Sequence, residues 1–157
     1  MTADIFSVVR KGDLGQLKAF VSSDNINGRD ESGSSLLHVA IAFRHDDAAL
    51  YLISSGIELN AQSKDGKTAL SYAAVYQNEP VARMLIERGA DINLADNFGN
   101  GPLWHALQSS RKDYNLFECI LNSGADPTVK NKVGKSVADA VNSRGDETLL
   151  SLLKRAQ

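Results

Sequence analysis

Three histidines, one cysteine and a few adjacent acidic pairs are the residues of this chain whose chemistry could support catalysis or metal binding. His38, His45 and His105 bring imidazoles, which ligate zinc and move protons near neutral pH. None of them has a second ligand at the short spacing a zinc site uses, so no metal site is expected. Cys119 is the only thiol. A nucleophilic thiol needs a base or a helix N-terminus beside it, and the sequence places neither there, so Cys119 reads as a buried, inert side chain. The pairs Asp30–Glu31 and Asp46–Asp47 could share acid–base work, but they fall where turns and helix starts favour carboxylates for local reasons. The glycines come one at a time rather than in a phosphate-cradling cluster. No catalytic residue, metal or cofactor is expected, and the chain does not read as an enzyme.

The elements that must hold these residues are written in the glycines. Gly33, Gly66, Gly99 and Gly134 stand 33, 33 and 35 residues apart, and Gly56, Gly89 and Gly124 keep the 33 and 35 steps. A near-constant period of this length marks stacked helix–turn–helix units, each too small to bury its own apolar face.

The units align without gaps over their first halves. DESGSSLLHVA begins at Asp30, SKDGKTALSYA at Ser63, DNFGNGPLWHA at Asp96 and NKVGKSVADAV at Asn131. The closing halves match too: LISSGIELN from Leu52, LIERGADIN from Leu85 and ILNSGADPT from Ile120. This pattern resembles the ankyrin repeat, D-x-x-G-x-T-P-L-H-x-A-A, then a second helix with paired aliphatics, then G-A-D-x-N. The resemblance covers nearly the whole chain. It implies an all-α ankyrin-repeat solenoid of stacked helix–turn–helix units with extended hairpin fingers, capped at both ends.

The expected layout is a single ankyrin-repeat domain over 1–157. A degenerate first unit occupies 3–29, with helices near Asp4–Lys11 and Leu14–Ser22. Repeats follow at 30–62, 63–95 and 96–130, and a capping unit at 131–155. Ser35 and Thr68 are placed to cap the inner helices. In the third unit Gly101–Pro102 keeps a proline suited to the first helical turn but loses the cap hydroxyl. Gly56, Gly89 and Gly124 follow apolar helical stripes, where a left-handed residue ends a helix. The inner helices should bury Leu37, Ala40, Leu70, Ala73, Leu103 and Ala106. The outer helices should bury Ala49, Leu52, Ile53, Val81, Leu85, Ile86, Leu116, Ile120 and Leu121. In the family His38 ties neighbouring repeats together by hydrogen bonds, and that structural role is expected of it here. Cys119 takes an aliphatic position equivalent to Tyr51 and Met84.

The last unit is adapted to water. Asp139 stands where the family has histidine, Lys130, Lys132 and Lys135 crowd the entry to that unit, and charges at both ends of its outer helix suit the helix dipole. A complete protein, rather than a piece of a longer array, is the expectation.

Composition sets the bounds. With 43% hydrophobic and 23% charged residues, the 157-residue chain has the make-up of a compact soluble domain. A net charge of -2 argues against nucleic-acid binding through a general basic field. The first residues lack the basic and apolar regions of a signal peptide, and no apolar run approaches the roughly 18–20 residues of a membrane span. One cysteine suits a reducing cytoplasm, where the chain is expected to be monomeric when free.

What remains is a surface. In ankyrin-like stacks partners lie on the concave side, built from finger tips and the exposed face of the inner helices. The candidate partner-binding residues are Arg29, Glu31 and Ser32 on the first finger, and Lys64, Asp65 and Lys67 on the second. Asn97, Phe98 and Asn100 follow on the third, and Lys132 on the fourth. Phe43, Arg44, Tyr76, Gln77, Trp104 and Ser109 come from the inner helices. Phe43 and Tyr76 occupy the same repeat position and are expected to neighbour each other. Phe98 is an aromatic where core packing gives no reason for one, and Trp104 replaces the pattern's histidine. A two-residue insertion within 108–115, bearing Arg111, Lys112 and Tyr114, reads as tolerated. The expected function is a non-catalytic module that binds one or more proteins through its concave face. Its narrowest form is an immunity protein that neutralises a cognate bacterial toxin. A eukaryotic-type intracellular adaptor or enzyme inhibitor and a self-associating scaffold are the alternatives.

Overall fold

The computed structural model describes residues 4–157 and builds them into ten helices. Inner helices α1 (Ile5–Lys11), α3 (Leu36–Ala42), α5 (Ala69–Val75), α7 (Pro102–Ser109) and α9 (Val137–Arg144) alternate with outer ones. The outer helices are α2 (Leu14–Phe20), α4 (Asp46–Ser54), α6 (Glu79–Glu87), α8 (Asn115–Asn122) and α10 (Glu147–Arg155). The inner helices stack in chain order, as do the outer helices through α8, while α10 packs mainly on α9. Ala3, where the first unit was expected to begin, lies outside the described residues. Asp4 proves to be the cap of α1, and α2 stops at Phe20, short of Ser22.

These helices have seven to nine residues, too short to persist alone, so tertiary packing holds them. Side chains from neighbouring units interleave in one continuous core. Leu37, Leu52, Leu70, Leu85, Leu103, Leu116, Phe117, Ile120 and Leu149 are buried, with Ala40, Ala73 and Ala106 letting the inner helices approach closely. Ile86, expected in the core, is only half-buried at its edge.

Side-chain caps fix seven of the ten helix starts. The Ser35 and Thr68 hydroxyls accept from the backbone N–H of His38 and Ser71. Gly101 at the start of α7 has no side-chain cap. At α9 the Ser136 hydroxyl accepts from the Asp139 N–H, while the Asp139 carboxylate accepts from the Ser136 N–H at 2.9 Å. That is the reciprocal capping box, and it is why a carboxylate can replace imidazole there.

Two ladders join the units. The N–H groups of Glu58, Asp91 and Asp126 donate to the amide oxygens of Asn27, Asn60 and Asn93 at 2.9, 2.8 and 3.0 Å. Among the fingers, Lys64 N–H donates to Ser32 O, Asn97 N–H to Asp65 O and Lys132 N–H to Phe98 O, all near 3 Å. The fingers are turns rather than strand hairpins: one isolated bridge, Arg29–Ser35, is the only β pairing among the described residues. Gly66 shows why a finger needs glycine. Its φ is +83°, and an added Cβ would lie 2.6 Å from the Asn97 nitrogen of the next finger.

Candidate protein-binding surface

Each histidine is occupied by the scaffold. His38 is fully buried; its Nδ1 accepts from the Ser35 N–H at 3.1 Å, which leaves Nε2 to donate to the Lys67 carbonyl of the next unit at 2.9 Å. Burial pushes its pKa below the ordinary 6.5, outweighing the bond to Lys67. His45 Nε2 lies 2.9 Å from the Arg10 carbonyl of the preceding unit.

His105 forms a pair that sequence reasoning missed. Its Nε2 is 3.0 Å from Asp96 Oδ2, and both side chains are buried. The other Asp96 oxygen accepts from the N–H groups of Phe98 and Asn100, so one carboxylate shapes the finger and anchors it to α7. Burial lowers the His105 pKa and outweighs the charge of Asp96. The only available signal was the coincidence of an acid at 96 and a histidine at 105 in one unit.

Cys119 is half-buried, not fully buried as expected, because the outer-helix surface beside Glu79 and Arg83 leaves it partly open. Burial still raises its pKa, which disfavours the thiolate. Among the described residues no group of three or more His, Cys, Asp or Glu could hold a metal ion.

The exposed face divides the candidate residues into two sets. One set is spent on the scaffold. The Arg29 guanidinium donates to the carbonyls of Gly33 and Gln62 and pairs with Glu58 at 3.3 Å. Asn97 Nδ2 donates to Lys64 O at 2.7 Å, and Asn100 Oδ1 accepts from Asn131 at 2.9 Å. Gln77 Nε2 donates to Ala74 O, and Lys67 pairs with Asp65. Burial works to raise the Asp65 carboxyl, but bonds from Lys67 and Ser63 bring it below its usual range. Trp104 is half-buried against the core beside Leu103.

The second set faces outward. Phe43 is 51% exposed and Phe98 is 63% exposed, with Val75 also open. Glu31, Ser32, Arg44, Lys64 and Lys132 are exposed, and Tyr76 and Ser109 are partly so. The Phe43 and Tyr76 rings do not pair as expected. Each closes its own helix, so the Phe43 ring stacks on His45 of its own unit at 6.4 Å. Tyr76 instead meets Tyr72 at 6.3 Å and the Arg44 guanidinium at 5.9 Å. Asp65, Lys67, Tyr72, Val75 and Tyr76 line a shallow depression below the second finger.

Arg44 and Gln77 carry a further feature. Both sit in the left-handed region, at φ +62° and +53°, where glycine fits without strain. In the equivalent turns of the first and last units the residues are Gly12 and Gly145. The insertion behaves likewise, with Arg111 and Lys112 both at positive φ. It also has a structural use, since the Tyr114 hydroxyl donates to Asp146 at 2.7 Å and so ties α8 to α10.

The family model for ankyrin repeats, three copies long, matches residues 5–96 and again 60–131. No curated protein matches the chain.

Proposed function

The chain belongs to the ankyrin-repeat family, a family of protein-interaction modules, and on that premise we propose that it recognises a partner protein through its concave face without catalysing a reaction. The observation that carries the proposal is the exposure of Phe43 and Phe98 on this face, with Tyr76 partly open. Phe43 and Tyr76 close successive inner helices, Phe98 stands at a finger tip, and the Arg44 guanidinium lies over the Tyr76 ring. Exposed aromatics beside arginine are the composition of interface hot spots. Glu31, Ser32, Lys64, Ser109 and Lys132 are the polar rim of the proposed surface. Arg29, Asp65, Lys67, Gln77, Asn97, Asn100 and Trp104 support it by holding fingers and helices in place.

An interface of ordinary size would bury about 800 Å² of this chain. The test is affinity capture of the tagged protein from its own cells, run beside the Phe43→Ala/Tyr76→Ala/Phe98→Ala variant. A stoichiometric partner lost by the variant supports the concave face. A partner retained by it moves the site elsewhere.

In its narrowest form the proposed partner is a cognate bacterial toxin whose working surface this chain covers. A toxin-like gene beside its own would support that form. Capture of an enzyme or transcription factor of the same cell would replace it with an adaptor or inhibitor role.

A further inference from the structure

Among the described residues, five cations of this molecule are ion-paired, and four of those that are not lie together on the finger tips. Arg10, Arg29, Lys67, Arg83 and Arg155 each have a carboxylate within ion-pair distance. Lys64, Lys130, Lys132 and Lys135 have none among the described residues, and all four are exposed. These four belong to the second finger and to the fourth finger with its base. The third finger lies between them and presents Phe98, while the fourth also presents Val133, 78% exposed.

The backbone makes this one surface. Asn97 N–H donates to Asp65 O and Asn97 Nδ2 to Lys64 O, which ties the second finger to the third. Lys132 N–H donates to Phe98 O, which ties the third to the fourth. The result places Phe98 and Val133 at the same position of adjacent fingers, with exposed ammonium groups on the flanking finger residues. Of the acids close by, three are already engaged, while Glu31 on the first finger is exposed and unpaired among the described residues. Asp65 is held by Lys67 and Ser63, Asp96 is buried against His105, and Asp139 accepts from Ser136 while it feels Lys130 and Lys135 at longer range.

We infer that the second to fourth finger tips take an acidic segment of the partner protein, with one large apolar side chain seated on Phe98 and Val133 and flanking carboxylates set against Lys64, Lys132 and Lys135. This rests on the protein-binding reading above and supplies the chemistry of the partner. Charge complementarity selects the occupant. On a chain of net charge -2 these lysines form a local reversal of sign, which steers acidic partners and rejects basic ones. Nucleic acid is the weaker fit. The apolar pair takes the middle of the patch, and the four ammonium groups are too few for a long phosphate track.

The experiment uses the full chain and a random dodecamer peptide library displayed on phage. Peptides it enriches should carry aspartate or glutamate on both sides of a leucine, isoleucine or aromatic residue. The Lys132→Glu/Lys135→Glu variant should bind them about tenfold more weakly, with its melting temperature unchanged. Peptides with lysine in place of their acids should regain binding to that variant, which a merely misfolded variant could not do. Phe98→Ala should weaken binding in both backgrounds.

Enriched peptides without acidic residues would overturn the inference. So would acidic peptides whose binding survives both variants but is lost in Phe43→Ala/Tyr76→Ala, although protein binding through the concave face would then stand. Failure to enrich any peptide would overturn the inference of a linear acidic segment, and the affinity capture above would then decide protein binding by itself. Tighter binding of a fluorescent dT12 oligonucleotide, or self-association abolished by Lys132→Glu, would assign the patch to nucleic acid or to a second copy and so overturn the inference.

Discussion

Arg44 is one of four non-glycine residues among those described, with Gln77, Arg111 and Lys112, whose identity costs the fold. A non-glycine side chain at φ +62° is strained by about 1–2 kcal/mol, and its contact with the Tyr76 ring returns about 0.5–1 kcal/mol. Arg44→Gly should therefore raise stability by about 0.5–1 kcal/mol in urea denaturation. A loss of stability instead would show that the strain is fully compensated. If Arg44 serves the interface, the same variant should bind the captured partner more weakly while melting at a higher temperature.

The buried imidazoles set a pH dependence at the same scale. His38 and His105 are held below the ordinary 6.5 by burial. As pH falls below 6.5 the unfolded chain takes up protons that the folded one resists, so their contribution to stability is present above 6.5 and lost on acidification. Asp65, Asp126, Asp139 and Asp146 have carboxyls held below 3.8 and act only in a more acidic window. Urea midpoints should fall between about pH 7 and about pH 5.5, and His105→Asn should flatten that slope. An unchanged slope in this variant would put the proton uptake elsewhere.

The His38 link was legible because it recurs at a position the repeat pattern defines. The Asp96–His105 pair was not, because it occurs once and joins residues nine positions apart that no local rule links.

At the level of elements, the finger turn is the unit most sensitive to substitution. Gly66→Ala combines a left-handed backbone with a Cβ placed 2.6 Å from the Asn97 nitrogen. It should cost more than 2 kcal/mol, whereas Gly134→Ala, at φ +77° with open space around it, should cost only about 1–2 kcal/mol. Equal losses in chemical denaturation would mean that the next finger yields without penalty.

The glycine period, the caps at Ser35 and Thr68 and the helix order could be read from the sequence, since each follows from a local rule repeated in register. Which finger residues were free could not. Arg29, Asn97 and Asn100 look like ordinary surface polar residues, and only the neighbouring finger, about 33 positions away, claims their hydrogen bonds. Phe43 and Tyr76 share a repeat position and nearly the same backbone, yet each ring packs on an aromatic that only its own unit of the two carries, His45 or Tyr72.

Across the whole molecule, stability is a sum over neighbouring units, so it is lowest where a unit has one neighbour. At the last unit, α10 rests mainly on α9, and its ties to α8 are the Tyr114–Asp146 hydrogen bond and the exposed Arg155–Glu118 pair at 3.8 Å. Amides of α9 and α10 should exchange with solvent faster than those of α5 and α7, and Tyr114→Phe should speed α10 further. Uniform protection along the stack would indicate a single cooperative block. Among the described residues no helix is long and apolar enough to cross a membrane.

The asparagine ladder has a consequence for how such a molecule can grow. Asn27, Asn60 and Asn93 each accept a bond from a backbone N–H 31 or 33 residues later, and the fingers hand on their own bond at nearly the same interval. A tandem duplication of residues 63–95 would find at each new junction the partners the old junction already had. Gene duplication or a splice of synthetic repeats could thus lengthen the binding face by one finger, with neither terminus redesigned.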